Sequence, residues 1–260
     1  MFENFFLIAG PCVLEGDDVN LAVGEALASL SARHRLSVLF KSSFDKANRS
    51  KLASARGPGL EEGLQALERV KANCGLPVLT DIHEPSQAGP AAEVADVMQI
   101  PAFLCRQTDL ITAAGRTGSA INIKKGQWMS PEQMAHAVRK ARAAGAGEVA
   151  VTERGTFFGY GDQIVDMRSF ARVRSACGTP VVFDGTHSVQ RQGHAGGGTG
   201  GNPEFIGCLV RAAVAAGCDG LFLEVHPAPA TAPSDSSNML ELTALAPLLE
   251  DVLAIRRALS

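Results

Sequence analysis

Four side chains able to hold a divalent metal ion stand out in this sequence: Cys12, His187, Glu224 and Asp235. No two are close neighbours in the chain, so their spacing carries no local ligand motif. What groups them is position, because each lies near the end of a short strand-like apolar run or in the loop after it. Mixed sulfur, nitrogen and oxygen ligation suits Zn²⁺, Fe²⁺, Mn²⁺ or a similar ion and does not choose among them. A second set is cationic. Residues 41–56 hold Lys41, Lys46, Arg49, Lys51 and Arg56 against Asp45 alone, and Arg106, Lys124 and Arg154 lie at or after the ends of later apolar runs. Clustered Lys and Arg in a chain of net charge −3 point to small, multiply charged anions such as phosphates or carboxylates. Ser43, Asn48, Ser50, Asp81, His83 and Gln99 sit among them.

Such residues need a frame that brings distant strand ends together. Eight short apolar runs recur along the chain at fairly even spacing, at 5–10, 38–43, 77–82, 97–102, 120–125, 148–153, 180–185 and 220–225. Each has the length of a buried strand. Helical patterns lie between them, notably over 18–33, 60–73, 204–217 and 238–258, with a shorter connection around 106–117. Ser130, Pro131 and Gln133 form a capping-box start for another helix. Eight strands alternating with helices in 260 residues predict one α/β domain, a (β/α)₈ TIM barrel spanning residues 1–260. A doubly wound open sheet is the alternative, disfavoured because no GxGxxG follows the first run.

Strand parity sharpens the expectation. Ile121 and Ile123 oppose Asn122 and Lys124, and Leu221, Leu223 and Val225 oppose Phe222, Glu224 and His226. Lys124 and Glu224 should then project into the barrel mouth, where an unpaired charge costs several kcal/mol. A structural ion pair is the plainer alternative to a ligand site. In a barrel the ends of strands one, seven and eight adjoin, which would bring the four metal-competent residues together. The Gly-rich stretch 193–201 is a candidate lid or simply a loose loop tip. Balanced charge argues against a nucleic-acid partner. With no apolar run of 18 residues, no membrane partner is expected, and the default is a cytoplasmic protein. Six separated cysteines without a CxxC pair read as reduced thiols.

The blocks IAGPCVLE, FKSSFDKANRS, RGPGLEEGL, LTDIHE, QIPAFLCRQTDL, NIKKGQ, TERGTFFGYGDQIVDMRSF, FDGTHSVQ and FLEVHP occur in this order. Together they resemble the 3-deoxy-D-manno-octulosonate 8-phosphate (KDO8P) synthases over nearly the whole chain. DAHP synthases share the barrel and half of the site but typically carry a KPRTS-type motif where this chain has KANRS at 46–50. The resemblance implies condensation of phosphoenolpyruvate with D-arabinose 5-phosphate and water, giving KDO8P and inorganic phosphate for lipopolysaccharide biosynthesis. By motif position, Lys41, Lys46, Lys124 and Arg154 would hold phosphoenolpyruvate, with Gln99 and Ser43 lining its site. Asn48, Arg49 and Ser50 would hold the pentose phosphate. Arg106 would reach the pentose phosphate of a neighbouring subunit in a homotetramer. Asp81 and His83 would assist proton transfer. A Schiff base at Lys124 is a competing reading that the chemistry does not require.

Metal-dependent members of that family have Cys at the position of Cys12, and metal-independent ones have Asn. With His187, Glu224 and Asp235 all present, the resemblance implies one divalent metal ion, which could activate water or orient the aldehyde. Lys51 replaces a common second Ser, DSSNML follows Asp235 where a small-residue run is usual, and the 193–201 stretch is unusually Gly-rich. The competing functions are a DAHP synthase using erythrose 4-phosphate and a non-catalytic sugar-phosphate-binding barrel.

Overall fold

The structure, a computed structural model, describes residues 1–2, 4–49, 52–191 and 200–259. Eight parallel strands form its inner wall: β1 (Phe6–Gly10), β2 (Ser37–Lys41), β3 (Val78–Asp81), β4 (Val97–Ile100), β5 (Ala120–Lys124), β6 (Val149–Glu153), β7 (Val181–Asp184) and β8 (Gly220–His226). Each pairs with the next, and β1 also pairs with β8, Phe6 opposite Gly220 through Gly10 opposite Glu224. That last pairing closes the sheet, so the chain is a (β/α)₈ barrel and the open-sheet alternative falls.

The helices are α1 (Asp17–His34), α2 (Leu60–Cys74), α3 (Ala88–Val94), α4 (Thr108–Arg116), α5 (Met134–Ala144), α6 (Ser169–Cys177), α7 (Ile206–Ala215) and α8 (Leu242–Leu259). The capping box forms as the sequence indicates, with Ser130 and Gln133 exchanging side-chain-to-backbone bonds ahead of α5. The last helix begins at Leu242 rather than 238. Leu240 and Glu241 instead pair in parallel with Val225 and His226 at the end of β8. The short helices α3 and α6 span too few turns to give a periodic signal in the sequence.

Alternation along each strand splits the apolar residues into two cores. Leu7, Val38, Val78, Met98, Ile121, Val151, Phe183 and Leu223 point outward and pack with the helices. Phe6, Ile8, Leu39, Leu79, Val97, Ala150, Val182 and Phe222 point inward and fill the lower barrel, with Phe2 stacked beneath Phe6 at 5.1 Å between ring centroids. One pleat further along the same inward face come Lys41, Asp81, Gln99, Asn122, Thr152, Asp184 and Glu224, with Lys124 beyond Asn122. All are buried. The inward face therefore changes from apolar to charged in one step, at the carboxyl ends of the strands, where barrels of this type carry their chemistry. Phe222 marks the boundary: Lys124 Nζ lies 3.4 Å from its ring centroid and Lys41 Nζ 5.6 Å. Among the described residues, no helix is long and apolar enough to cross a membrane.

Candidate active site

Close approach of β1 to β2 sets the first corner of the site. A Cβ at Gly10 would lie 2.1 Å from the Lys41 carbonyl oxygen, so only glycine lets the strands meet there. The chain beyond continues as a parallel bridge, Val13 opposite Ser43, and Cys12 is buried beside the end of β2. Its Sγ lies 2.9 Å from Ser234 Oγ and 3.2 Å from Asp235 Oδ2. Asp235 adopts a left-handed backbone, φ 49°, which turns its carboxylate back toward the barrel. Glu224 is fixed at the end of β8, its backbone N–H donating to Thr186 Oγ1 at 2.8 Å. His187 Nε2 is 3.6 Å from both Glu224 Oε1 and Asp235 Oδ2. The four metal-competent residues are therefore brought together. The ligand atoms of Cys12, Glu224 and Asp235 lie within 4.8 Å of one another, and His187 closes the group through the two carboxylates.

Two observations fit this set to a divalent ion. Glu224 Oε2 is buried with no hydrogen-bond partner among the described residues, a costly state for a carboxylate oxygen. The donor set fits as well, since the Cys12 thiol converges with two carboxylates and such mixed sulfur and oxygen donors suit a borderline divalent ion. The sequence reading named no role for Asp184, and the structure gives it two. Its Oδ1 accepts from the His187 backbone N–H and its Oδ2 from His187 Nδ1, both at 2.8 Å. This fixes the ring so that Nε2 faces Glu224 and Asp235, an orientation typical of metal-ligating histidines. Oδ2 also accepts from Lys124 Nζ. Burial works to raise the Asp184 carboxyl, but the charges of His187 and Lys124 hold it far below the carboxylate range. Burial in turn lowers Lys124, to about 8, against the counter-charge of Asp184. Parity was the available signal for Asp184, since it faces inward with Val182.

The cations gather as expected, but they are not idle. Lys41 Nζ donates to Cys12 O at 3.0 Å, Ser43 Oγ at 3.1 Å and Glu224 Oε1 at 3.2 Å. Lys46 Nζ lies 3.9 Å from the same Glu224 oxygen. Arg154 is buried, its Nη2 donating to His187 O at 3.1 Å and Gln190 Oε1 at 2.9 Å. Lys41 and Lys46 thus share Glu224, and Lys124 pairs with Asp184, while Arg154 is held by neutral acceptors. Three cations of the anion cluster are therefore also members of structural ion pairs. A divalent ion drawing on the carboxylates would shift the balance toward positive. Asp81 receives the Ser43 hydroxyl on one oxygen and lies 3.0 Å from His83 Nε2 through the other. Burial opposes the imidazolium, yet the Asp81 bond and charge raise His83 above its ordinary value. Gln99 Oε1 accepts from Asn122 Nδ2 at 3.1 Å, and Asn122 Oδ1 from Thr152 Oγ1 at 2.7 Å, a buried polar chain across β4, β5 and β6.

Residues beyond β2 are more open. Asn48 is exposed. Arg49 donates from Nε to Ala55 O at 2.9 Å, while its buried Nη2 has no hydrogen-bond partner among the described residues. Arg56 is bound to Asp45, Nε to Oδ1 at 2.8 Å, which takes it out of the anion cluster. Ser50 and Lys51 lie outside the described residues, as does most of the Gly-rich stretch 193–201, of which Gly200 and Gly201 pair antiparallel with Arg191 and Gln190. Arg106 is exposed just before α4, and its backbone carbonyl accepts from Lys140 Nζ at 3.4 Å. No hydrogen bond or ion pair among the described residues joins its side chain to the mouth. Lys125, beside Lys124, has the opposite parity. It is fully buried, donating to Gly126 O at 3.3 Å and Gly155 O at 3.2 Å, with Glu153 Oε1 at 3.4 Å. It holds the loops rather than facing the cavity.

Comparison with known proteins follows the same line. The family model described as DAHP synthetase I family matches residues 3–256. A protein of Cyanothece sp. named 2-dehydro-3-deoxyphosphooctonate aldolase is 53% identical over 258 residues, covering 99% of this chain and 94% of the relative. Proteins of the same name from Syntrophotalea carbinolica and Synechococcus sp. are each 52% identical, covering 96% and 98% of this chain and 90% and 89% of their own lengths.

Proposed function

The chain belongs to the DAHP synthetase I family, and from that membership and its site we propose that it condenses phosphoenolpyruvate with D-arabinose 5-phosphate and water, releasing KDO8P and inorganic phosphate. The reading fits the name shared by relatives at about half identity over nearly the full chain. The observation that carries it is the mouth itself, where the buried Lys41, Lys124 and Arg154 and the half-buried Lys46 lie beside a thiol, an imidazole and two carboxylates at the ends of β1, β7 and β8.

In this reading C3 of phosphoenolpyruvate attacks the pentose aldehyde, water adds at C2, and phosphate leaves with cleavage of its C–O bond. Lys41, Lys46, Lys124 and Arg154 hold the phosphate and carboxylate of phosphoenolpyruvate, with Ser43 and Gln99 lining its site. Together the two reactants bring about five negative charges, and fixed cations offset their repulsion while aligning the reacting carbons. Asn48, Arg49 and Ser50 take the pentose phosphate, and the unpartnered Arg49 Nη2 supports that role. The His83 imidazolium, held by Asp81, is placed to move a proton. Cys12, His187, Glu224 and Asp235 would hold one divalent ion, which supplies Lewis acidity toward the aldehyde or a bound water. The protein acts in the cytoplasm as a homotetramer. Exposed Phe103 and Trp128, stacked at 5.8 Å, support a subunit contact beside Arg106, which would complete a neighbour's pentose-phosphate site.

The test is incubation of the purified protein with phosphoenolpyruvate and arabinose 5-phosphate, with erythrose 4-phosphate as rival acceptor. Phosphate release is followed together with the mass of the eight-carbon product. Turnover restricted to the four-carbon acceptor, or none with either, would sink the reading. Exhaustive chelation is expected to stop the reaction and a divalent ion to restore it.

A further inference from the structure

The segment after β7 opens with a short turn, His187–Val189, and continues into Gln190 and Arg191, which pair with Gly201 and Gly200. Gln190 stands where three parts of the site meet. Its Oε1 accepts from Arg154 Nη2 at 2.9 Å, and its Nε2 donates to Asp235 Oδ1 at 3.5 Å. The other Asp235 oxygen is the one 3.2 Å from Cys12 Sγ and 3.6 Å from His187 Nε2. The backbone of the turn is clamped separately. Gln163 Nε2 donates to the carbonyls of His187 and Gln190, both at 3.2 Å, so the Gln190 side chain is not needed to hold the turn.

We propose that Gln190 is a positioning residue that couples the anion-binding arm of the site, Arg154, to the metal-ligating arm, Asp235. This rests on the function proposed above. An amide is the side chain suited to the place, because it accepts from a guanidinium at one end and donates to a carboxylate at the other. A carboxylate there would repel Asp235, an ammonium would repel Arg154, and a thioether would leave both ends without a strong partner. The bond to Asp235 also steadies a non-glycine residue at φ 49°, a conformation such residues adopt only when neighbours hold it. Through this amide, drawing Asp235 onto an ion sets the Arg154 guanidinium, and an anion on Arg154 sets Asp235. Linkage then requires each ligand to tighten the other by the same factor.

The experiment uses the full chain stripped of metal. Zn²⁺ or Mn²⁺ affinity is measured by competition with a chromophoric chelator, and phosphoenolpyruvate affinity by calorimetry with and without the ion, for wild type, Gln190→Met and Gln190→Leu. Gln163→Met serves as a control that loosens the turn without touching Arg154 or Asp235. In the Gln190 variants, metal affinity is expected to fall about ten-fold, the size usual for groups that orient metal ligands. The factor by which metal tightens phosphoenolpyruvate should shrink about five-fold or more, and KM for phosphoenolpyruvate should rise while KM for arabinose 5-phosphate stays within about two-fold. Gln163→Met should leave the coupling factor at the wild-type value. An unchanged coupling factor in a folded Gln190 variant, or an equal loss in Gln163→Met, overturns the proposal. Failure of the wild type to turn over phosphoenolpyruvate overturns the function and not the coupling, which is read from binding alone.

Discussion

Replacing Asp184 with Asn changes almost no volume and removes one buried charge, so its effect can be worked from the bonds. Asp184 is fully buried and accepts three hydrogen bonds: from His187 N and His187 Nδ1, both at 2.8 Å, and from Lys124 Nζ. An amide has one acceptor oxygen. If it keeps the bond to the His187 backbone, its NH₂ points at two other donors. Lys124 then loses the counter-charge that held it at about 8 and must either stay charged and unpaired above the Phe222 ring or give up its proton, each at a cost. Breaking a buried ion pair from one side costs about 3–5 kcal/mol, a large part of the ~5–15 kcal/mol that holds a typical domain folded. The histidine suffers as well. Without an acceptor at Nδ1 the proton moves to Nε2, the atom needed for a metal, and affinity should fall by about 10–100-fold. The assay is urea unfolding of metal-stripped protein at pH 7 and fixed concentration, for Asp184→Asn, Lys124→Met and the double variant. Removing the stranded Lys124 amine should recover about 2 kcal/mol of the loss. A single variant within about 1 kcal/mol of wild type, or a double variant whose cost is the sum of the singles within about 0.5 kcal/mol, would refute the reasoning.

Other outcomes follow from the same site. Because Asp81 raises His83 above its ordinary 6.5, the stability that pair supplies is complete below that pH and is lost as pH rises through the folded value; NMR titration of the ring should give a midpoint above 6.5 in the wild type and a lower one in Asp81→Asn. Lys125→Met removes an ammonium bound to loop carbonyls and should cost about 3 kcal/mol in unfolding free energy, with KM for phosphoenolpyruvate in the folded enzyme within about two-fold of wild type. Cys12→Ser should weaken metal binding at least about ten-fold, read by chelator competition, without shifting the thermal midpoint of the stripped protein by more than a few degrees. Trp128→Glu places a charge in the proposed subunit contact, and analytical ultracentrifugation should find species smaller than a tetramer.

The barrel was legible because the apolar runs, each the length of a buried strand, come to eight and alternate with helical patterns. The same parity put Lys124 and Glu224 inside, where the structure has them. Cys12, His187, Glu224 and Asp235 could be grouped only by supposing closure, since β1 and β8 are neighbours through the ring and not along the chain. Composition could not reveal how the cations are balanced. Asp184 and Glu224 are single letters far from Lys124 and Lys41, and their pairing depends on the stagger between strands. Arg56 looked like one more free cation until the loop folded it onto Asp45. Lys125 is the next letter after Lys124, yet one residue of strand places them on opposite faces. Gln190 gave no signal, because a glutamine between two charged partners has no pattern of its own.

The Phe222 ring and the packed apolar residues beneath it turn the barrel into a blind well. Ions, water and organic anions can reach Lys124 only from above, and whatever forms there must leave by that same opening. Traffic is therefore one-way at a time: a molecule resting near the rim bars the exit of anything seated against the ring, and how quickly the well empties is decided by the loops around its lip.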